Sequence, residues 1–108
     1  MFTIKNNDIS LTRGDTLFLT VNLTDSDGDP YVPSEGDRIR LAMKRRINSS
    51  DLVMLKEISP ETLTFEIEPQ DTKDLAYGTY VYDIELTDSE GHVNTVIFGK
   101  FRITEEVY

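Results

Sequence analysis

The sequence predicts an all-β fold: a sandwich of two sheets built from about seven strands. Three observations carry that expectation. Apolar and polar residues alternate with period two through most of the chain. Turn residues recur between these runs at roughly 8–12-residue spacing or somewhat more, and only one short segment reads as helix.

In Thr16–Thr24 the odd positions Leu17, Leu19, Val21 and Leu23 are apolar, and the even ones are Thr16, Phe18, Thr20, Asn22 and Thr24. That describes a half-buried strand in which Phe18 interrupts the wet side. Arg38-Ile39-Arg40-Leu41-Ala42-Met43-Lys44 alternates again, and only a strand puts Ile39 and Leu41 on one face. Thr62–Glu68 and Thr79–Thr87 repeat the pattern. The apolar run Leu52–Ile58 suits a buried strand or a helix, and its length favours the strand. Pro69–Leu75 reads as one short helical turn, with Pro at its first position. Asp25-Ser26-Asp27-Gly28-Asp29-Pro30 and Asp88-Ser89-Glu90-Gly91 read as turns with Gly in the left-handed position.

About seven strands with turn chemistry between them and almost no helix form the pattern of an immunoglobulin-like antiparallel β-sandwich, here one domain over residues 1–108. Leu75–Tyr82 enters the penultimate strand through Gly78, and Tyr80 stands two residues before Tyr82, where antibody domains carry a cysteine. Tyr77 or Tyr80 therefore has either a tyrosine-corner role or that of an ordinary core aromatic. The last hairpin admits two registers, and a one-residue slip flips the whole strand. A bulged turn at Gly91 sets Tyr82, Ile84 and Leu86 opposite Phe98, Val96 and Asn94, with Gly99 as a second bulge returning Phe101 and Ile103 inward. A plain two-residue turn points Val93, Thr95 and Ile97 inward instead. Gly at the fourth turn position favours the bulged form, which leaves Val81 and Ile97 on the outer face.

Eleven Lys and Arg against twenty Asp and Glu give a net charge of −9 on 108 residues. That balance argues against nucleic acid or an anionic membrane as partner, because both select clustered positive charge. With no Cys in the chain, disulfides, thiolate metal sites and cysteine nucleophiles are excluded. The opening Met1–Asn7 has no basic segment before an apolar run, so no secretory signal is expected.

Motifs that carry chemistry elsewhere have structural readings here. Asp25, Asp27 and Asp29 are spaced like calcium ligands, but the Gly and Glu of a calcium loop do not fall in place. Arg13-Gly14-Asp15 spells an integrin-recognised tripeptide between two predicted strands, where Gly and Asp also serve a bend. His92, Ser89 and Asp88 share one turn, too close for a catalytic line. Arg38, Arg40, Lys44, Arg45 and Arg46 form the basic cluster. A solvated face whose charges are answered by Glu66 and Glu68 explains it better than RNA binding does. No catalytic, cofactor-binding or metal residues are assigned.

From Leu11 onward the chain resembles small domains of phages and prophages of Gram-positive bacteria. The residues that carry this are "TRGDT", "LTDSDGDPY", "GDRIRLAMKR", "FEIEPQDTKDLAYGTYVYDIELTDSEG" and "FRITEEV". The family named by the resemblance is the immunoglobulin-like amino-terminal domain of phage baseplate upper proteins, tail components that attach receptor-binding modules to the baseplate. The resemblance implies a non-enzymatic structural or assembly protein of the tail or baseplate. It would reside in the bacterial cytoplasm before assembly and in the virion tail afterwards. Its partners would be other phage structural proteins or further copies of itself, without cofactor, nucleic acid or membrane. Apolar residues on polar faces mark Phe18, Val81 and Ile97 as candidate contacts. The alternative is a carbohydrate-binding or calcium-dependent adhesive module, for which Tyr31 and Tyr77 lie near predicted loops.

Overall fold

The computed structural model of the chain describes residues 2–5, 7–23, 28, 29, 31, 33, 35–48, 51–58 and 63–105, and for residues 2–5 the backbone alone. It is an all-β sandwich. The strands are β1 (Phe2–Lys5), β2 (Asp8–Thr12), β3 (Leu17–Thr20), β4 (Arg38–Lys44), β5 (Leu52–Ile58), β6 (Thr64–Ile67), β7 (Gly78–Thr87) and β8 (Val93–Thr104). One sheet has six strands in the order β1-β2-β8-β7-β4-β5, and the other pairs β3 with β6. Pairing is antiparallel except between β2 and β8, which run parallel. The expected all-antiparallel arrangement is corrected at that one seam.

Alternation builds the core. Ile39, Leu41 and Met43 of β4, Tyr80, Tyr82, Ile84 and Leu86 of β7, and Phe101 and Ile103 of β8 are all buried. Leu17, Phe65 and Ile67 close over them from the small sheet. Each such side chain contributes about 1.5–3 kcal/mol on leaving water. Tyr82 and Phe101 meet edge to face with centroids 6.0 Å apart. The segment 52–58 is a strand, as its length suggested.

The one helix among the described residues, α1 (Pro69–Thr72), sits where the sequence placed its helical turn, with Pro in the first turn. The Glu68 N–H donates to Asp71 Oδ2 at 2.7 Å, and Thr72 is fully buried. Just beyond it the Tyr80 hydroxyl donates to the Ala76 carbonyl at 2.7 Å. That bond has the tyrosine-corner geometry: the strand's hydroxyl ties back to backbone four residues upstream. Lys56 Nζ lies 2.6 Å from Asp71 Oδ2, joining β5 to α1.

The last hairpin corrects the sequence reading in its second half. At the turn the bulged form holds, with the Asp88 N–H donating to the His92 carbonyl at 3.0 Å and Leu86 opposite Asn94. The ladder then slips between Ile84 and Glu85, so that Val96 is the extra residue and Ile84 faces Ile97. Ile97 is thereby turned inward to pack on the core, and Phe98 is turned outward. Gly99 pairs regularly with Tyr82 and is no bulge. Its missing side chain has another use: a Cβ there would stand 2.5 Å from the Asn7 carbonyl oxygen.

Candidate interaction face

The outer face of the six-stranded sheet can be written from its register. One row across the strands is Thr95, Glu85, Arg40 and Glu57. The next is Phe98, Asp83, Ala42 and Leu55, and the third is Lys100, Val81, Lys44 and Leu52. Together with Ile47 of the β4–β5 turn these rows, apart from Thr95 and Glu57 at the ends of the first, line a concavity of about 980 Å³. Phe98 is 75% exposed and Ile47 80%, while Leu52 and Leu55 stand about half exposed. Large apolar side chains gathered exposed on one face are a feature of contact sites.

Two bulges place Phe98 and Leu52 on it. Strict alternation would turn Phe98 inward beside Tyr82, and the extra Val96 sends it outward instead. On the neighbouring hairpin the ladder slips between Met43 and Lys44, Val53 becomes the extra residue, and Leu52 comes to lie opposite Lys44 on the outer face. A bulge re-aims side chains in this way, and bulges concentrate beside functional sites.

Charges are threaded between the apolar groups. Arg40 Nη2 lies 3.4 Å from Glu85 Oε1 across the β4–β7 ladder. Partial burial raises the Asp83 carboxyl above its ordinary value, and Glu85 adds to that; Lys44 and Arg40 oppose it. At the β8 end, Asp8 Oδ1 accepts the Lys100 N–H at 3.0 Å, and the Tyr82 hydroxyl donates to the Asn7 carbonyl. Burial, assisted by Asp8, pushes the Tyr82 phenol up to about 12. Gly99 lets this corner close against β8.

Of the sequence-predicted contact residues, Val81 alone belongs to this face. Phe18 is 61% exposed but stands opposite Glu66 on the small sheet, and Ile97 points into the core. The three do not meet. The basic strand residues are also answered differently: Glu66 lies in the other sheet and Glu68 just past its strand, so Arg40 meets Glu85. Phe98, Ile47 and Leu52 were missed because their outward placement depends on bulges and a turn, which alternation does not encode; Leu55 was missed because the apolar run Leu52–Ile58 hides the alternation of its strand.

The remaining motifs resolve into structure. Arg13 donates to the Leu75 carbonyl at 3.3 Å and stacks 4.2 Å over the Tyr77 ring, while the Gly14 N–H donates to Thr72 Oγ1 at 2.9 Å. The tripeptide is thus the clasp between the β2–β3 turn and the α1 corner. Asp25 and Asp27 lie outside the described residues. Among the described residues no group of three or more His, Asp or Glu is gathered as a metal site requires. His92 Nδ1 lies 3.0 Å from Asp88 Oδ2 on an exposed turn. Hydrogen bonds from the His92 and Glu90 N–H groups hold the Asp88 carboxyl below its ordinary value. Tyr31, named for the sugar-binding alternative, instead donates its hydroxyl to Asp37 Oδ2 at 3.0 Å.

No family model, curated protein or solved structure matches this chain.

Proposed function

We propose that this chain is a non-enzymatic assembly protein that docks other proteins through the outer face of its six-stranded sheet, as a component of a phage or prophage tail or baseplate. The observation that carries the docking reading is that two separate bulges each turn a large apolar side chain, Phe98 and Leu52, onto one outer face. Folding alone would favour the opposite, since either residue would be better buried. The immunoglobulin-like reading is supported by the sheet order β2-β8-β7-β4-β5 against β3-β6 and by the Tyr80–Ala76 hydrogen bond. The tail assignment rests on the sequence resemblance.

The test is incorporation into particles. Mass spectrometry of phage particles released by cells encoding the chain should find it in purified tails. Phe98→Ser with Leu55→Ser should be lost from those particles while Phe18→Ser is retained. A chain absent from particles overturns the tail assignment, and equal incorporation of all variants overturns the docking face.

A further inference from the structure

We infer that the occupant of this face is a second copy of the same chain, packed face to face about a two-fold axis that runs along the strands between β7 and β4. The inference rests on the docking face proposed above and names its partner.

Charge points to the copy. The chain carries −9, so two copies repel wherever they meet at random. The concave face is the exception: Asp8, Asp83 and Glu85 line it together with Arg40, Lys44 and Lys100, and Glu57 stands at the end of its first row, three bases against four acids, 3 − 4 = −1. A strongly basic partner would be drawn to the acidic remainder of the surface, and an acidic one would find no net attraction here. A surface whose two signs nearly balance and interleave suits its own image, because an isologous interface sets each residue i against j and j against i.

The register then selects the axis. A two-fold along the strands keeps each row facing itself and exchanges β8 with β5 and β7 with β4. Arg40 meets Glu85 of the second copy, Phe98 meets Leu55, and the Lys44 stem lies over Val81. A two-fold across the strands would set Arg40 against Lys44, like against like. The first arrangement pairs every large apolar group of the rows with another or with an aliphatic stem, and it matches the aligned packing of one sheet on another. Ala42 lies beside the axis. With strands about 4.8 Å apart and sheets about 10 Å apart, its two copies stand about 11 Å from each other.

Sedimentation of the purified chain across a concentration series, together with cross-linking, tests this. The wild type should show a reversible monomer–dimer equilibrium. Arg40→Glu and Glu85→Arg should each weaken it at least about a hundredfold, since each sets two like-charged pairs across the axis. An equimolar mixture of the two variants should form a heterodimer, because both pairs across the axis then join opposite charges again. The chain has no cysteine, so Ala42→Cys provides a second measurement that leaves the charges intact. A short bis-maleimide should join Ala42→Cys to itself and leave Phe18→Cys, on the far face, monomeric. A wild type that stays monomeric to about 1 mM overturns the inference, as does dimerisation unaffected by either charge reversal or failure of Ala42→Cys to cross-link. If the chain is monomeric yet Phe98→Ser and Leu55→Ser still abolish incorporation into particles, the docking face stands and its occupant is another protein. If incorporation is also unaffected, both readings fall.

Discussion

The two faces of the six-stranded sheet are made from the same strands under opposite rules. On the inner face every position of β4 and β7 that alternation assigns to the core is buried, from Ile39 to Met43 and from Tyr80 to Leu86. On the outer face Phe98, Leu52 and Leu55 stand exposed among Arg40, Lys44, Asp83 and Glu85. The inner face follows from burying apolar area. The outer face departs from it through a bulge on each hairpin, so Phe98 and Leu52 are not surplus core. Stability and association should therefore separate between the two faces, and substitutions can test the separation.

The largest effect should come from the inner face. Phe101 is fully buried, and Phe101→Ala removes an aromatic side chain from between two sheets and its edge contact with Tyr82. The expected loss is about 3–5 kcal/mol in denaturant unfolding. Phe98→Ser, on the same strand but the other face, should cost less than about 1 kcal/mol and act on association instead. Equal destabilisation by the two would mean that Phe98 is packed in the monomer, and the comparison would break.

Gly99 lies where the faces meet and should give an intermediate effect. A Cβ at this position would lie 2.5 Å from a backbone oxygen, which no rotamer change relieves. Gly99→Ala should cost about 2 kcal/mol by forcing the Asn7 corner off β8. Tyr82→Phe keeps the ring and loses only the hydrogen bond to Asn7, at about 1 kcal/mol. The raised phenol adds a pH signature. The neutral form is favoured in the fold, so its contribution is intact below pH 10 and is lost as pH rises from 10.0 towards about 12. Absorbance titration of the wild type should show a tyrosinate forming near pH 12 that is missing from Tyr82→Phe.

These residues also show which parts of the molecule can be read from sequence. Alternation with period two located β4, β7 and the inward side chains of β3 and β6, because a strand buried on one face must write its burial into every second residue. Pro69, at the first position of its turn, placed α1. The bulges were not legible: one extra residue in Val93–Thr104 leaves the composition unchanged while exchanging the roles of Ile97 and Phe98. Gly99 was noticeable, but its reason lay near the opposite end of the chain, at Asn7. The parallel seam between β2 and β8 was hidden for the same cause, since pairing partners are chosen by topology and not by local pattern.

The smallest effect should come from two carboxylates on β7 and its turn, whose signs are opposite. Asp88, just past the end of β7, accepts hydrogen bonds from the His92 and Glu90 N–H groups, which depress its value. Its contribution is present above the ordinary carboxylate range near 3.8 and is lost as pH falls through the depressed value. Asp83 is raised, chiefly by partial burial. Its contribution is present below about 3.8 and is lost as pH rises through the raised value, so at neutral pH it costs stability. Melting temperatures followed from about pH 6 to about pH 2 should fall less steeply for Asp88→Asn than for the wild type. Asp83→Asn should melt slightly higher than the wild type at neutral pH, with the gap closing on acidification. If the outer face is covered by a second copy, concentrating the protein should widen the Asp83 gap, because the carboxylate is then further removed from water, and leave Asp88 unmoved. A gap independent of concentration would show that Asp83 stays as solvated in the associated state as in the monomer.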